Sequence, residues 1–158
     1  MPTSQITSPP SGIETAGADA LQLDNQLCFA VYSASLAMTK AYKPLLDALG
    51  LTYPQYLVML VLWEHGALSV SELGARLFLD SGTLTPLLKR MESGGWLQRA
   101  RSLEDERRVR VSLTPAGRKL KSRATRIPEC LVHASGCTVG ELMSLTGRVR
   151  QLRDRLAG

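Results

Sequence analysis

Between Ser69 and Leu113 the chain sets two short helical segments, a double glycine and two alternating strands in an order that few folds accommodate. Ser69 with Glu72 has the spacing of a capping box, in which a hydroxyl and a carboxylate satisfy each other's backbone N–H groups. It opens a short helix from Val70 to about Leu79, with Leu73 and Leu77 facing inward. The next segment, Ser81 to Glu92, begins with small hydroxyl residues and stops at Gly94-Gly95, a strong helix terminator. Trp96 to Arg99 and Val109 to Leu113 then alternate as strands do, around a charged tip at Ser102 to Arg107. Helix, tight turn, helix and charged hairpin is the order of a winged helix-turn-helix.

Helices flank this middle. Asp24 or Asn25 can cap a helix on which Leu27, Val31, Ala34 and Met38 recur at helical spacing, reaching Lys43 or beyond before Pro44 kinks or breaks it. Gly50 stops that element, and Thr52 with Gln55 makes another capping box ahead of the apolar block Leu57 to Trp63, which ends before Gly66. After the hairpin, Thr114 caps a helix beginning at Pro115, where a missing N–H costs nothing. That helix runs to about Arg126. Pro128 interrupts, a helical stretch follows through Cys130 and His133, and Thr138 with Glu141 opens a last helix through Leu142, Leu145, Val149, Leu152 and Leu156.

Charge says what the middle is for. The net +5 of the 158 residues resolves into −4 over residues 1–75, +8 over 76–126 and +1 over 127–158. A basic third of the chain is the footprint of phosphate binding, because each Lys or Arg that meets a phosphate releases condensed counterions. Taken alone, the charge also fits a solvated basic face. Joined to the winged order it favours DNA, with the second helix of the pair in the major groove and the hairpin reaching a neighbouring minor groove. Ser81, Thr83, Thr85 and Pro86 stand at the start of that helix, where open N–H groups also favour phosphate, and Lys89 and Arg90 lie further along. In the wing, Asp105 can hold Arg107 or Arg108 extended by a charge-assisted hydrogen bond, a pose suited to a narrow minor groove.

The expected fold class is mainly α: a winged helix-turn-helix with long N- and C-terminal dimerisation helices. It forms a single domain over 21–158, with a DNA-binding lobe at about 52–114 and dimerisation helices at about 22–50 and 115–158. A flexible polar leader is expected at 1–20, without the basic start and apolar stretch of a secretory signal. The longest apolar run, Tyr56 to Trp63, is far short of the roughly 18 residues a membrane span needs. Three widely spaced cysteines make no disulfide framework, which fits a reducing cytoplasmic setting.

The stretch LDSGTLTPLLKRMESGGWLQRARSLEDERRVRVSLTPAG resembles the DNA-binding core of the MarR family of dimeric winged-helix regulators, with its DER wing and LTPAG helix start. Upstream, DNQLCFAVYSASLAMTKAYKPLLDALGLTYPQYLVMLVLWE is similar to the organic hydroperoxide sensors of that family, the OhrR type. The likeness is close over roughly 22–126 and looser beyond. It implies a homodimeric repressor on double-stranded DNA with a pseudo-palindromic operator, a cytoplasmic protein that is not an enzyme and needs no cofactor. It also implies a sensing cysteine at Cys28, held by the hydroxyls of Tyr32, Tyr42 and Tyr53, some of them from the partner subunit, and an organic hydroperoxide as oxidant.

The residues around Cys28 support that reading. The thiol falls in the first turn of a helix, where the dipole and free N–H groups favour a thiolate. Tyr32 shares its face at i+4. Phenols donate hydrogen bonds without adding charge, and their rings leave an apolar entrance. A buried packing thiol is the alternative for Cys28. The resemblance also implies that a second cysteine, near the C-terminus of the other subunit, can resolve the oxidised one. Cys130 and Cys137 are both candidates; seven residues apart, they would share a face of a persisting helix with His133 between them. The usual resolving position falls nearest His133, so neither is preferred.

Two other mechanisms fit parts of this pattern. One is a repressor of the same fold released by a small phenolic ligand bound between the dimer helices, with Cys28 only packing. The other is a thiol peroxidase using Cys28, for which a +8 segment shaped as a groove reader has little use. A zinc set of Cys28, Cys130, His133 and Cys137 lacks the spacing of a zinc knuckle, so no metal is expected.

Overall fold

Capping chemistry sets most element boundaries in the computed structural model, which describes residues 18–158. Of the expected leader, residues 1–17 lie outside the described residues. Two 3₁₀ turns, Ala18–Leu21 and Leu23–Asn25, lead into α1, Leu27–Asp47. Asp24 sits inside the second turn and does not cap α1; Gln26 precedes the helix and donates its side-chain amide to the carbonyls of Ala20 and Gln22. Helix α1 runs on through Pro44 without breaking there. The Thr52–Gln55 box opens α2, Tyr53–His65, and Gly66 closes it in a backbone conformation with φ of 73°.

The wing is a three-stranded sheet, where two strands were expected. β2 (Leu97–Arg101) and β3 (Val109–Leu113) pair antiparallel, and β1, only Leu68–Ser69, joins the other edge of β3 with Leu68 opposite Val111. A two-residue strand has too little alternation to be read from sequence. Between β1 and β2 lie α3, Val70–Leu77, opened by the Ser69–Glu72 box, and α4, Ser81–Ser93. The helices α5 (Pro115–Ala124, capped by Thr114), α6 (Ile127–Ser135) and α7 (Val139–Ala157, opened by the Thr138–Glu141 box) complete the chain.

The chain divides within α1 into two compact units, one ending at Met38 and the other spanning Thr39–Gly158. The second unit holds the core. Leu46, Met59, Leu62, Leu73, Leu84, Leu88, Met91, Leu97 and Val111 are all below 2% exposed, and the core reaches on to Leu120, Ala124 and Ile127. Two glycines make its close approaches possible. A Cβ at Gly117 would run into the Trp96 carbonyl. That fixes the start of α5 on the hairpin, where Thr114 donates from its N–H to the Trp96 carbonyl and from its hydroxyl to the Gly95 carbonyl at 2.6 Å. At Gly74 a Cβ would meet the Leu79 carbonyl at 2.7 Å, so α3 can turn tightly into α4 only with glycine there.

In the first unit, Leu21, Leu23, Leu27, Val31, Tyr32, Leu36 and Met38 are exposed. Helix α7 has no buried residue, and Val139, Met143, Leu145, Val149 and Leu156 stand open.

Candidate functional site

Helix α4 presents two different faces. Leu84, Leu87, Leu88 and Met91 are buried, while Ser81, Thr83, Pro86, Lys89 and Arg90 are exposed and Thr85 is half-buried. The buried set recurs at 3–4-residue spacing, as one face of a helix must, which leaves every residue expected to meet DNA on or near the outward side. Its N-terminus differs from the expectation of open N–H groups. Asp80 caps the helix: its carboxylate accepts from the Thr83 N–H at 2.8 Å and from the Thr83 hydroxyl at 3.2 Å. Those two bonds hold the Asp80 carboxyl below the usual aspartate range. A fixed negative charge thus occupies the place where a phosphate was expected. Lys89 and Arg90 further along α4, and Arg107 and Arg108 in the wing, are exposed basic side chains.

In the wing, Asp105 holds the turn more than the side chains. Its carboxylate accepts from the Arg107 N–H at 3.0 Å and its carbonyl from the Arg108 N–H at 2.9 Å, while the Arg108 guanidinium lies 4.0 Å from the carboxylate. Arg107 and Arg108 are both exposed. Behind them a cleft of about 180 Å³ opens between Ser71 on α3, Thr85 on α4 and the two arginines. The electrostatic field of Arg108 and Arg110 reaches the start of α3, where the bonds from the Ser69 N–H and hydroxyl, and secondarily these arginines, keep Glu72 below the usual glutamate range.

Sequence reasoning missed the residues that lock the wing to α4. Arg99 donates to Glu92 from Nε at 3.0 Å and Nη2 at 2.9 Å, and its N–H meets the other carboxylate oxygen at 2.9 Å. Arg110 reaches the Ala67 carbonyl at 3.1 Å. Both arginines were counted only as charge, because their partners come from other elements.

Cys28 is the second residue of α1 and is exposed, which removes the packing-thiol alternative for this chain by itself. Tyr32, one turn on, is 62% exposed. Tyr42 and Tyr53 belong to the second unit, where their ring centroids lie 5.0 Å apart. A third phenol joins them: Tyr56, buried, is 5.9 Å from Tyr42 and 6.5 Å from Tyr53, and packs edge-on against Trp63. The i,i+3 spacing of Tyr53 and Tyr56 on α2 was the signal for it. Burial, reinforced by the neighbouring Tyr53 and Tyr56, pushes Tyr42 up to about 12, and burial raises Tyr53 and Tyr56 as well. At neutral pH these phenols keep their protons and are available as hydrogen-bond donors.

Cys130 and Cys137 do not share a helix face. Cys130 lies in α6, but α6 ends at Ser135 because Gly136 takes a left-handed conformation with φ of 67°, and Cys137 falls beyond it with its thiol 3.7 Å from the Ser135 carbonyl. Both thiols are exposed. Among the described residues no three of His, Cys, Asp and Glu gather closely enough to hold a metal ion. No helix among them is long and apolar enough to cross a membrane.

Residues 40–124 match the family described as Transcriptional regulator SarA/Rot. Across 138 residues the chain is 51% identical to the organic hydroperoxide resistance transcriptional regulator of Bacillus subtilis, covering 87% of this chain and 94% of that one. It is also 51% identical over 143 residues to the HTH-type transcriptional regulator TtmR of Methylorubrum extorquens, covering 90% of this chain and 73% of the relative. Among solved structures it is similar to AbfR of Staphylococcus epidermidis. Reduced AbfR bound to DNA superposes with a TM-score of 0.70 at 34% identity over 88% of this chain and 98% of that one. The overoxidised, DNA-bound form gives 0.71 at 35% identity over 87% and 97%.

Proposed function

Since the chain belongs to the SarA/Rot family of MarR-like winged-helix transcriptional regulators, we propose that it is a homodimeric repressor that lets go of its operator when an organic hydroperoxide oxidises Cys28. It is a regulator and not an enzyme. The observation that carries the reading is Cys28 itself: a thiol exposed in the first turn of α1, four residues before an exposed tyrosine, in a unit whose apolar side chains lie uncovered. The relatives support it. One is named for organic hydroperoxide resistance, and AbfR binds DNA in reduced and overoxidised forms.

Surface chemistry supports the dimer. Each exposed Leu, Val or Met of the first unit and of α7 gains on the order of 1.5–3 kcal/mol when fully buried, and a second copy offers the same apolar surface. Two recognition helices in a symmetric dimer would meet successive major grooves about one turn apart, which calls for a pseudo-palindromic site. The α4 residues Ser81, Thr85, Pro86, Lys89 and Arg90 would face the major groove, with Thr83 partly committed to its cap, and Arg107 and Arg108 the neighbouring minor groove.

The chemistry balances as follows. The Cys28 thiolate attacks the terminal, hydrogen-bearing oxygen of R–O–OH; an S–O bond forms, the O–O bond breaks, and the alkoxide leaves and takes a proton to become ROH. Cys28 is then a sulfenic acid. A second thiol, Cys130 or Cys137, attacks that sulfur, forming a disulfide and releasing water. The phenols of Tyr32, Tyr42 and Tyr53, some of them from the partner subunit, would donate to the thiolate and the leaving oxygen. A coupling of roughly 3 kcal/mol between oxidation and DNA lowers affinity about a hundredfold.

Cys28→Ser tests the reading on a DNA duplex selected from a random-sequence pool by the reduced wild-type protein. The variant keeps reduced-state affinity and no longer releases the duplex with cumene hydroperoxide. Release by a Cys28→Ser protein would overturn the sensor role, and release by salicylate under strong reductant would favour a ligand-gated repressor. Non-reducing mass analysis of the oxidised wild type identifies the resolving thiol and whether the bond joins two subunits.

A further inference from the structure

The turn between α3 and α4 carries a residue that local chemistry does not favour. Phe78 caps α3 in the left-handed region, φ 55° and ψ 37°, among the described residues the one non-glycine position with positive φ. Glycine or asparagine normally fills such a site, because a Cβ there crowds the backbone. Phe78 also leaves 64% of its surface exposed. Both the backbone and the apolar ring are therefore unfavourable unless the ring has a partner.

Its partner comes from far along the chain. The Arg153 guanidinium lies over the Phe78 ring, 4.5 Å from the centroid. Asp154 fixes that guanidinium through bonds from Nε at 2.9 Å and Nη2 at 2.7 Å to one carboxylate oxygen. Arg153 belongs to α7, which has no buried residue and carries the open apolar side chains assigned to the dimer. Phe78 stands two residues before Asp80, the cap of α4. The contact therefore joins α7 to the turn that leads into α4.

We infer that Phe78 and Arg153 are positioning residues: their cation–π contact is the link through which α7 sets the pose of α4. The inference rests on the DNA-reading role of α4 for its consequence, though not for its geometry. Phe78 acts through the turn and Arg153 through Phe78.

The test uses the full-length reduced protein and two readouts. Hydrogen exchange is followed at the amides from Leu79 to Thr83, and affinity is measured for the duplex selected by the wild type. Arg153→Ala speeds exchange at those amides about threefold and weakens DNA binding two- to fivefold, the range of a partly exposed cation–π contact. Arg153→Lys retains part of both. Phe78→Leu, which keeps apolar bulk without an aromatic face, matches Arg153→Ala, and the double variant is no worse than either single one. Additive losses, or unchanged exchange in Arg153→Ala, overturn the link. Phe78→Gly removes the backbone strain along with the ring; if it alone alters exchange while Arg153→Ala does not, strain and not the contact sets the turn, which also overturns it. If the wild type selects no duplex, the proposed function fails while exchange still decides the inference.

Discussion

In α4, Leu84, Leu88 and Met91 are fully buried and the outward residues are small or basic; in α7 no residue is buried and Val139, Met143, Leu145, Val149 and Leu156 lie on the surface. The two helices use similar apolar residues at similar spacing. The difference is that α4 finds its partners within the chain, on α2, α3 and the wing, whereas α7 leaves most of its apolar side uncovered, with only Leu142 and Leu152 half-buried. Under the proposed function that division is useful: the lobe that would read DNA is packed within each protomer, and α7, proposed to lie between protomers, would be held by contacts easier to rearrange than a packed core.

The contrast fails if α7 can lose its apolar side without consequence. Met143→Glu with Val149→Glu places two charges in the proposed interface and should raise the dimer dissociation constant by roughly a thousandfold, about 4 kcal/mol. Sedimentation reads the shift to monomer, and far-ultraviolet circular dichroism should show the lobe still helical. A monomer that has lost its helix would mean that the lobe, too, depends on the partner.

In the lobe, Leu84→Ala empties space in a closed core and should cost about 3 kcal/mol, seen in denaturant unfolding of the unliganded protein. Thr114→Ala has a smaller effect. It removes the bond to the Gly117 N–H at 3.1 Å and the one to the Gly95 carbonyl, and a lost cap of this kind costs about 1 kcal/mol.

A further effect is one of pH. Tyr42 is raised to about 12 from its usual 10 and Tyr53 and Tyr56 are raised too, so the unfolded chain gives up these protons before the folded one. Their contribution is complete below pH 10 and is lost as pH rises from about 10 toward 12. Tyrosinate absorbance should titrate late in the folded protein, and Tyr42→Phe should flatten the loss of stability over that window.

The capping boxes at Thr52, Ser69 and Thr138, the Thr114 cap and the terminating glycines were all legible, because each depends on residues within a few positions of one another. The alternating hairpin was legible for the same reason. What escaped were contacts between distant residues: β1 beside β3, Glu92 with Arg99, Arg110 with Ala67, Tyr56 joining Tyr42, and Arg153 over Phe78. Asp80 was missed for another reason. Three hydroxyl residues follow it, and any of them could have capped the helix as well.

The sequence by itself determined that this chain makes a basic winged helix-turn-helix between helical flanks, with Cys28 in the first turn of α1, since those features follow from local spacing and charge. Tertiary structure decided the rest. Burial of Leu84, Leu88 and Met91 chose which side of α4 faces outward, and packing of the end of α1 on α2 gathered three phenols whose desolvation raises their pKa. Each of those outcomes depends on which surfaces leave water together, and that is a property of the folded chain as a whole.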